Sequence, residues 1–141
     1  MKQFATQAPT SPAAGSNLTI TVPAGQNWLV NNFGFILSTS ATVANRNAGI
    51  TVRDSLGNTM FSAWAASSSV ASYNHGASSI IQYWFGTGCR TDFGPIQSQL
   101  GTSVPEFKLG EGFTISTDVN NLQAADQVED VVLSYVQKYY L

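Results

Sequence analysis

Apolar and polar residues alternate with a period of two along most of this chain. Leu18, Ile20 and Val22 stand against Thr19 and Thr21, the mark of a half-buried strand. Pro23-Ala24-Gly25 then turns the chain, with proline presetting φ. The same alternation, bounded by Gly, Asn and Asp turns, predicts eight strands at 17–22, 28–38, 49–54, 58–64, 79–86, 105–109, 113–118 and 127–139. Asp54-Ser55-Leu56-Gly57-Asn58 reads as the turn of a hairpin. Two segments break the alternation. Phe33-Gly34-Phe35-Ile36-Leu37 is apolar at nearly every position. Ile80 to Phe85 carries Ile80 and Trp84 on one parity and Ile81, Tyr83 and Phe85 on the other. No amphipathic helix and no internal repeat interrupts the pattern. Residues 65–78 and 86–103, rich in Ala, Ser, Gly and Gln, read as loops.

Short strands joined by Gly, Pro and Asn turns specify an all-β chain with helix below about 15%. The expected architecture is a β-sandwich, with an eight-stranded jelly roll as the leading topology and another Greek-key sandwich as the alternative. Residues 1–16, MKQFATQAPTSPAAGS, lack the alternation. Pro9 and Pro12 remove backbone donors, and Phe4 is the one large side chain after Met1. The segment is expected to be an extended N-terminal arm ahead of a single sandwich domain at 17–141. Fully extended it would span about 50 Å. Phe4, Pro9 and Pro12 are its candidate docking residues.

Composition narrows the chemistry. The chain has 141 residues, of which 43% are hydrophobic and only 10% are charged. A typical soluble domain carries about 25% charge, so here uncharged polar residues supply the contact with water. Six basic residues, spread singly, argue against nucleic acid and against an anionic membrane surface. No apolar run approaches the ~20 residues of a membrane span, and no signal peptide is expected. One cysteine excludes an internal disulfide and a cysteine zinc site, and one histidine excludes a multi-histidine site.

Cys89 and His75 are therefore the only soft nucleophile and the only imidazole. Both fall in predicted loops, and they are expected to be a free thiol and a solvated histidine rather than a catalytic pair. Asp126, Glu129 and Asp130 form the one acidic cluster. Without the pattern of a calcium loop they read as solvated carboxylates at a strand start. Gly86-Thr87-Gly88 lacks the lysine of a phosphate loop. Asn17-Leu18-Thr19 matches a glycosylation acceptor by chance. Trp28, Trp64 and Trp84 all lie within strands, which favours burial in the core or at an interface over a sugar-binding platform. No catalytic residue, cofactor or metal is expected, and the chain does not read as an enzyme.

Surplus apolar surface is the stronger signal. A small sandwich needs one buried face per sheet, yet 33–37 and 80–85 offer two. Phe33, Phe35, Ile81, Tyr83 and Phe85 are therefore candidates for an oligomer interface.

Three stretches carry a resemblance. They are Leu18-Thr-Ile-Thr-Val-Pro-Ala-Gly-Gln-Asn-Trp-Leu-Val30, Thr39-Ser-Ala-Thr-Val-Ala-Asn-Arg46 and Ile50-Thr-Val-Arg-Asp-Ser-Leu-Gly-Asn58. With Gly112-Phe-Thr-Ile-Ser116 and Ala125-Asp-Gln-Val-Glu-Asp-Val-Val-Leu-Ser-Tyr135, they resemble the small β-sandwich virion proteins of tailed bacteriophages. The resemblance covers about residues 17–139 and rests on strand-and-turn motifs. It implies a structural protein of the particle, most like a capsid decoration or cement protein. Such a protein sits on the outer surface of the head, often as a homotrimer, and bridges subunits of the major capsid protein. A tail or fibre protein, or a carbohydrate-binding β-sandwich module, is the alternative.

Overall fold

The computed structural model describes residues 2–65, 74–87 and 99–139. Among these residues there is no helix. Eleven strands follow one another: β1 (Lys2–Gln7), β2 (Thr19–Thr21), β3 (Gln26–Ser38), β4 (Arg46–Arg53), β5 (Thr59–Trp64), β6 (Asn74–His75), β7 (Ile80–Gly86), β8 (Gln99–Ser103), β9 (Phe107–Leu109), β10 (Thr114–Asn120) and β11 (Gln127–Tyr139). All eight expected strands are present. β1, β6 and β8 are additional, and β8 lies in the stretch read as a loop.

The strands form two packed sheets. The larger runs β1-β11-β3-β7-β8, with β9 beside the start of β3. The smaller runs β2-β10-β4-β5, with β6 beside the start of β4. Every pairing is antiparallel except β7 with β8. Take β1, β2, β3, β4, β5, β7, β10 and β11 as first to eighth. The large sheet then reads first-eighth-third-sixth and the small one second-seventh-fourth-fifth. This is a double Greek-key order, the jelly-roll arrangement. Its membership differs from expectation. Residues 2–7, read as a free arm, supply the first strand, and 107–109 is an accessory to β3.

Two bulges explain how long strands keep one apolar face. On β11, Asp130 and Val131 together oppose Phe35, between the pairs Glu129–Ile36 and Val132–Gly34. Asp130 takes a left-handed φ of 46° there. The extra residue reverses the parity of the strand, so Val128 points into the core together with Val131, Leu133 and Tyr135. On β3, Asn31 is the extra residue between Val30 and Asn32. Trp28 and Val30 on one side of it, and Phe33, Phe35 and Leu37 on the other, all reach the same core. Phe35 lies 5.4 Å from Tyr83 and 6.2 Å from Phe33 and Phe85, ring centre to ring centre. Trp28 stacks on Tyr135 at 4.2 Å. From the small sheet, Ile20, Ala48, Ile50, Val52, Ile115 and Val119 close the core.

The turns follow the sequence. Asp54 caps the β4–β5 hairpin by accepting from the N–H groups of Leu56 and Asn58 and from the Asn58 amide. Those bonds hold its carboxyl below the ordinary range. Gly57 supplies the positive φ of 87° that the turn requires.

Candidate functional site

The five residues proposed from sequence as an oligomer interface are core residues. Phe33, Phe35, Ile81, Tyr83 and Phe85 are at most 4% exposed. They point between the sheets because the β3 bulge and the β3–β7 register put them on the inward parity. The outward parity of the same strands carries Gly34, Ile36, Gln82, Trp84 and Ile80. The surplus apolar surface noted in the sequence is therefore real, but it belongs to the other set of side chains.

That surface can be followed across the large sheet. One cross-strand row runs Val132–Gly34–Trp84–Gly101, and another runs Phe4–Val136–Leu29–Lys108. Trp84 lies flat on Gly34, where an added Cβ would overlap its ring. Ile36, Trp84, Leu29, Val132 and Val136 are half-buried, Ile80 is 67% exposed and Phe4 is 83% exposed. Phe4, Leu29, Val136 and Lys138 line an open apolar groove of about 330 Å³. An outer sheet face in water ordinarily carries polar residues at these positions.

The N-terminal segment frames this face. β1 pairs with β11 along its whole length, with Phe4 opposite Val136 and Ala5 opposite Tyr135. Ala5 packs against the core, and the Gln7 amide donates to the Tyr135 hydroxyl at 3.1 Å. Phe4 consequently points outward. Pro9 and Pro12 lie half-buried in the connection to β2. That connection is tied down where Gln127 donates to the Pro12 carbonyl at 2.8 Å and Gly15 N–H to the Asp126 carbonyl at 2.8 Å. The arm is extended, as expected, but it is fastened to its own chain.

The outer face of the small sheet has the opposite character. Thr19, Ser116, Thr51 and Ser62 form one row, and Asp118, Gly49 and Trp64 the next. Of the three tryptophans Trp28 lies in the core, 1% exposed. Trp64 and Trp84 sit half-buried on opposite outer faces. Each does so because its strand neighbour is a glycine whose missing side chain leaves room for the indole.

The buried polar groups form a separate cluster. Asp126 is fully buried rather than solvated. It accepts from Arg46 Nε and Nη2 at 2.9 Å each, from Ser40 N–H and hydroxyl, and from Gln123 N–H. Burial pushes its carboxyl up, but the Arg46 guanidinium and these N–H and O–H donors outweigh that and hold it far below the usual carboxylate range. His75 is likewise buried rather than solvated. β6 holds it beside Arg46 on β4, and its Nδ1 lies 3.0 Å from the Tyr83 hydroxyl. Burial pulls its pKa below the ordinary histidine value, and the Arg46 charge adds to that. Arg46 and Asp126 satisfy one another and tie 39–46 to the start of β11. Their role is positional. Glu129 is half-buried and Asp130 is exposed. Asn17 uses its side-chain oxygen to fasten β2 to β10 through Val119 N–H and the Thr117 hydroxyl. Cys89 lies outside the described residues.

No protein-family model and no curated protein matches the chain. Among solved structures, a chain of "Structure of infectious bursal disease virus Gx strain" is similar at 10% identity, with a TM-score of 0.32. The match covers 99% of this chain and 42% of that one, so this chain spans less than half of its length.

Proposed function

We propose that this protein is a structural component of a virion, a decoration protein on the outside of a bacteriophage head that bridges major capsid subunits. The observation that carries the reading is the contrast between the two outer faces. The large sheet presents Phe4, Leu29, Ile36, Ile80, Trp84 and Val136 outward, whereas the small sheet presents hydroxyls, a carboxylate and a guanidinium around a single half-buried indole, Trp64. A face of the first kind is stable in water when another surface covers it. A shell of repeated subunits offers such a cover, and the polar face then meets solvent. The sequence resemblance to phage virion proteins supplies the identity of the shell.

β1 contributes in a way that differs from a free clamp. It is the edge strand of the large sheet, so its outer backbone edge is open to added strand pairing among the described residues. Phe4 projects beside that edge, where a capsid subunit would receive it. Association of this protein with itself, as a homotrimer, is the assembly we favour, because identical subunits close cyclically. The polar groups of the interior hold loops in place, which supports a non-enzymatic role.

Fractionation of the particle tests the reading. Purified heads separated from tails should carry the protein in many copies, in fixed ratio to the major capsid protein. Recovery with tails in a few copies would point to a tail protein, and absence from the particle would end the proposal.

A further inference from the structure

The polar outer face of the small sheet holds an arrangement that shell binding does not use. Gly49 on β4 is buried, and Trp64 of the neighbouring β5 lies over it. A Cβ at Gly49 would come within 2.7 Å of Trp64 Cε3 and 2.6 Å of the Ala63 carbonyl oxygen. Glycine thus leaves the room that the half-buried indole occupies over the sheet. Thr51 and Ser116 continue the floor, 2% and 5% exposed. Around it stand Asp118, in the same row as Gly49 and Trp64, and Arg53, four residues along β4 from Gly49 and bonded back to Ser116.

The charged pair keeps capacity in reserve. Asp118 Oδ2 accepts from the Thr51 hydroxyl at 2.6 Å, and Thr51 Oγ1 lies 2.9 Å from the exposed Ser62 hydroxyl. Among the described residues Asp118 Oδ1 has no partner, and the Arg53 guanidinium makes only a 3.5 Å bond to Ser116 Oγ. An apolar plate one ring wide is therefore followed, on its β4–β10 side, by an acceptor in its own row and by donors that reach the Thr51–Ser116 row. That combination selects its ligand by chemistry. A phosphate polymer would need clustered cations, and Arg53 is the one cation in this arrangement, on a face that also carries Asp118. A protein partner would need about 800 Å² of complementary surface, and the apolar part here is a single indole. A hexopyranose offers a C–H face to stack on the indole, and a rim of hydroxyls that donate to Asp118 and accept from Arg53.

We infer that Trp64, Asp118 and Arg53 form a glycan-binding subsite on the face turned away from the apolar sheet. The inference stands on its own geometry and does not depend on which particle the protein joins. The test titrates the full chain with maltohexaose, cellohexaose, chitohexaose and O-polysaccharide freed from lipopolysaccharide. Tryptophan fluorescence and affinity electrophoresis are the readouts. At least one glycan should bind at up to millimolar concentration. Trp64→Ala should weaken it by about tenfold or more. Trp64→Phe, which keeps an apolar ring, and Asp118→Asn, which keeps the shape, should weaken it less. Trp84→Ala, on the opposite sheet, should leave it unchanged. No binding by any of the four glycans, or binding that survives Trp64→Ala, overturns the subsite.

Discussion

Replacing Asp126 by alanine isolates the buried ion pair that locks one end of the sandwich. The carboxylate accepts five hydrogen bonds, two of them from Arg46, and both side chains are fully buried. Asp126→Ala would leave the guanidinium charged, out of water and with only the Ala44 carbonyl and the Ser40 hydroxyl as partners. Stranding one member of a buried pair costs about 3–5 kcal/mol, against a total stability of about 5–15 kcal/mol for a domain. At roughly 3 °C per kcal/mol for a chain of this size, the midpoint of thermal unfolding should fall by about 10–15 °C. The double substitution Arg46→Met with Asp126→Leu removes both charges and should recover at least half of that loss. Urea unfolding followed by tryptophan fluorescence measures each difference. The pH dependence carries the same signature. Folding lowers this carboxyl from its ordinary 3.8, so its contribution is complete above that value and drains away as pH falls below it. A loss under 1 kcal/mol for Asp126→Ala, or a double variant no better than the single one, would refute the reasoning.

Two further outcomes follow from the same interior. His75, whose pKa folding lowers from 6.5, binds its proton more readily in the unfolded chain, so stability should decline as pH drops below about 6.5. His75→Gln should flatten that decline between pH 7 and 5 in a series of thermal melts, and an unchanged slope would contradict it. Gly34→Ala should destabilise by about 1–3 kcal/mol because its methyl overlaps the Trp84 ring. Trp84→Ala in the same chain should relieve most of that penalty, and additive effects in a double-mutant cycle would refute the contact.

Alternation was enough to locate eight strands and the all-β class, because a half-buried strand must repeat every two residues. It failed where local pattern and partner diverge. β1 reads KQFATQ, with Ala5 as its only apolar inward residue, so it carries no amphipathic signal. The edge of β11 recruits it through backbone bonds, which sequence does not display. The interface residues were misplaced for a related reason. Phe33 to Leu37 is apolar on both parities, and only the register with β7 shows which set meets the core. The bulge at Asn31 that unites Trp28 with Phe33 leaves no signature beyond two adjacent asparagines. Asp126 and Arg46 are 80 residues apart, so nothing local announces their pairing. Trp64 and Trp84 each face a glycine on a neighbouring strand, but that adjacency exists only once the register is known.

The central claim is that the apolar outer face of the large sheet docks on a shell. Phe4→Asp tests it most directly, because Phe4 is 83% exposed and its side chain takes no part in the core. Leu56→Asp, at the similarly exposed tip of the β4–β5 turn, is the matched control. Each protein is titrated onto undecorated heads and bound copies are counted. The account predicts at least about tenfold weaker occupancy for Phe4→Asp and wild-type occupancy for Leu56→Asp. Equal occupancy by all three proteins would contradict it.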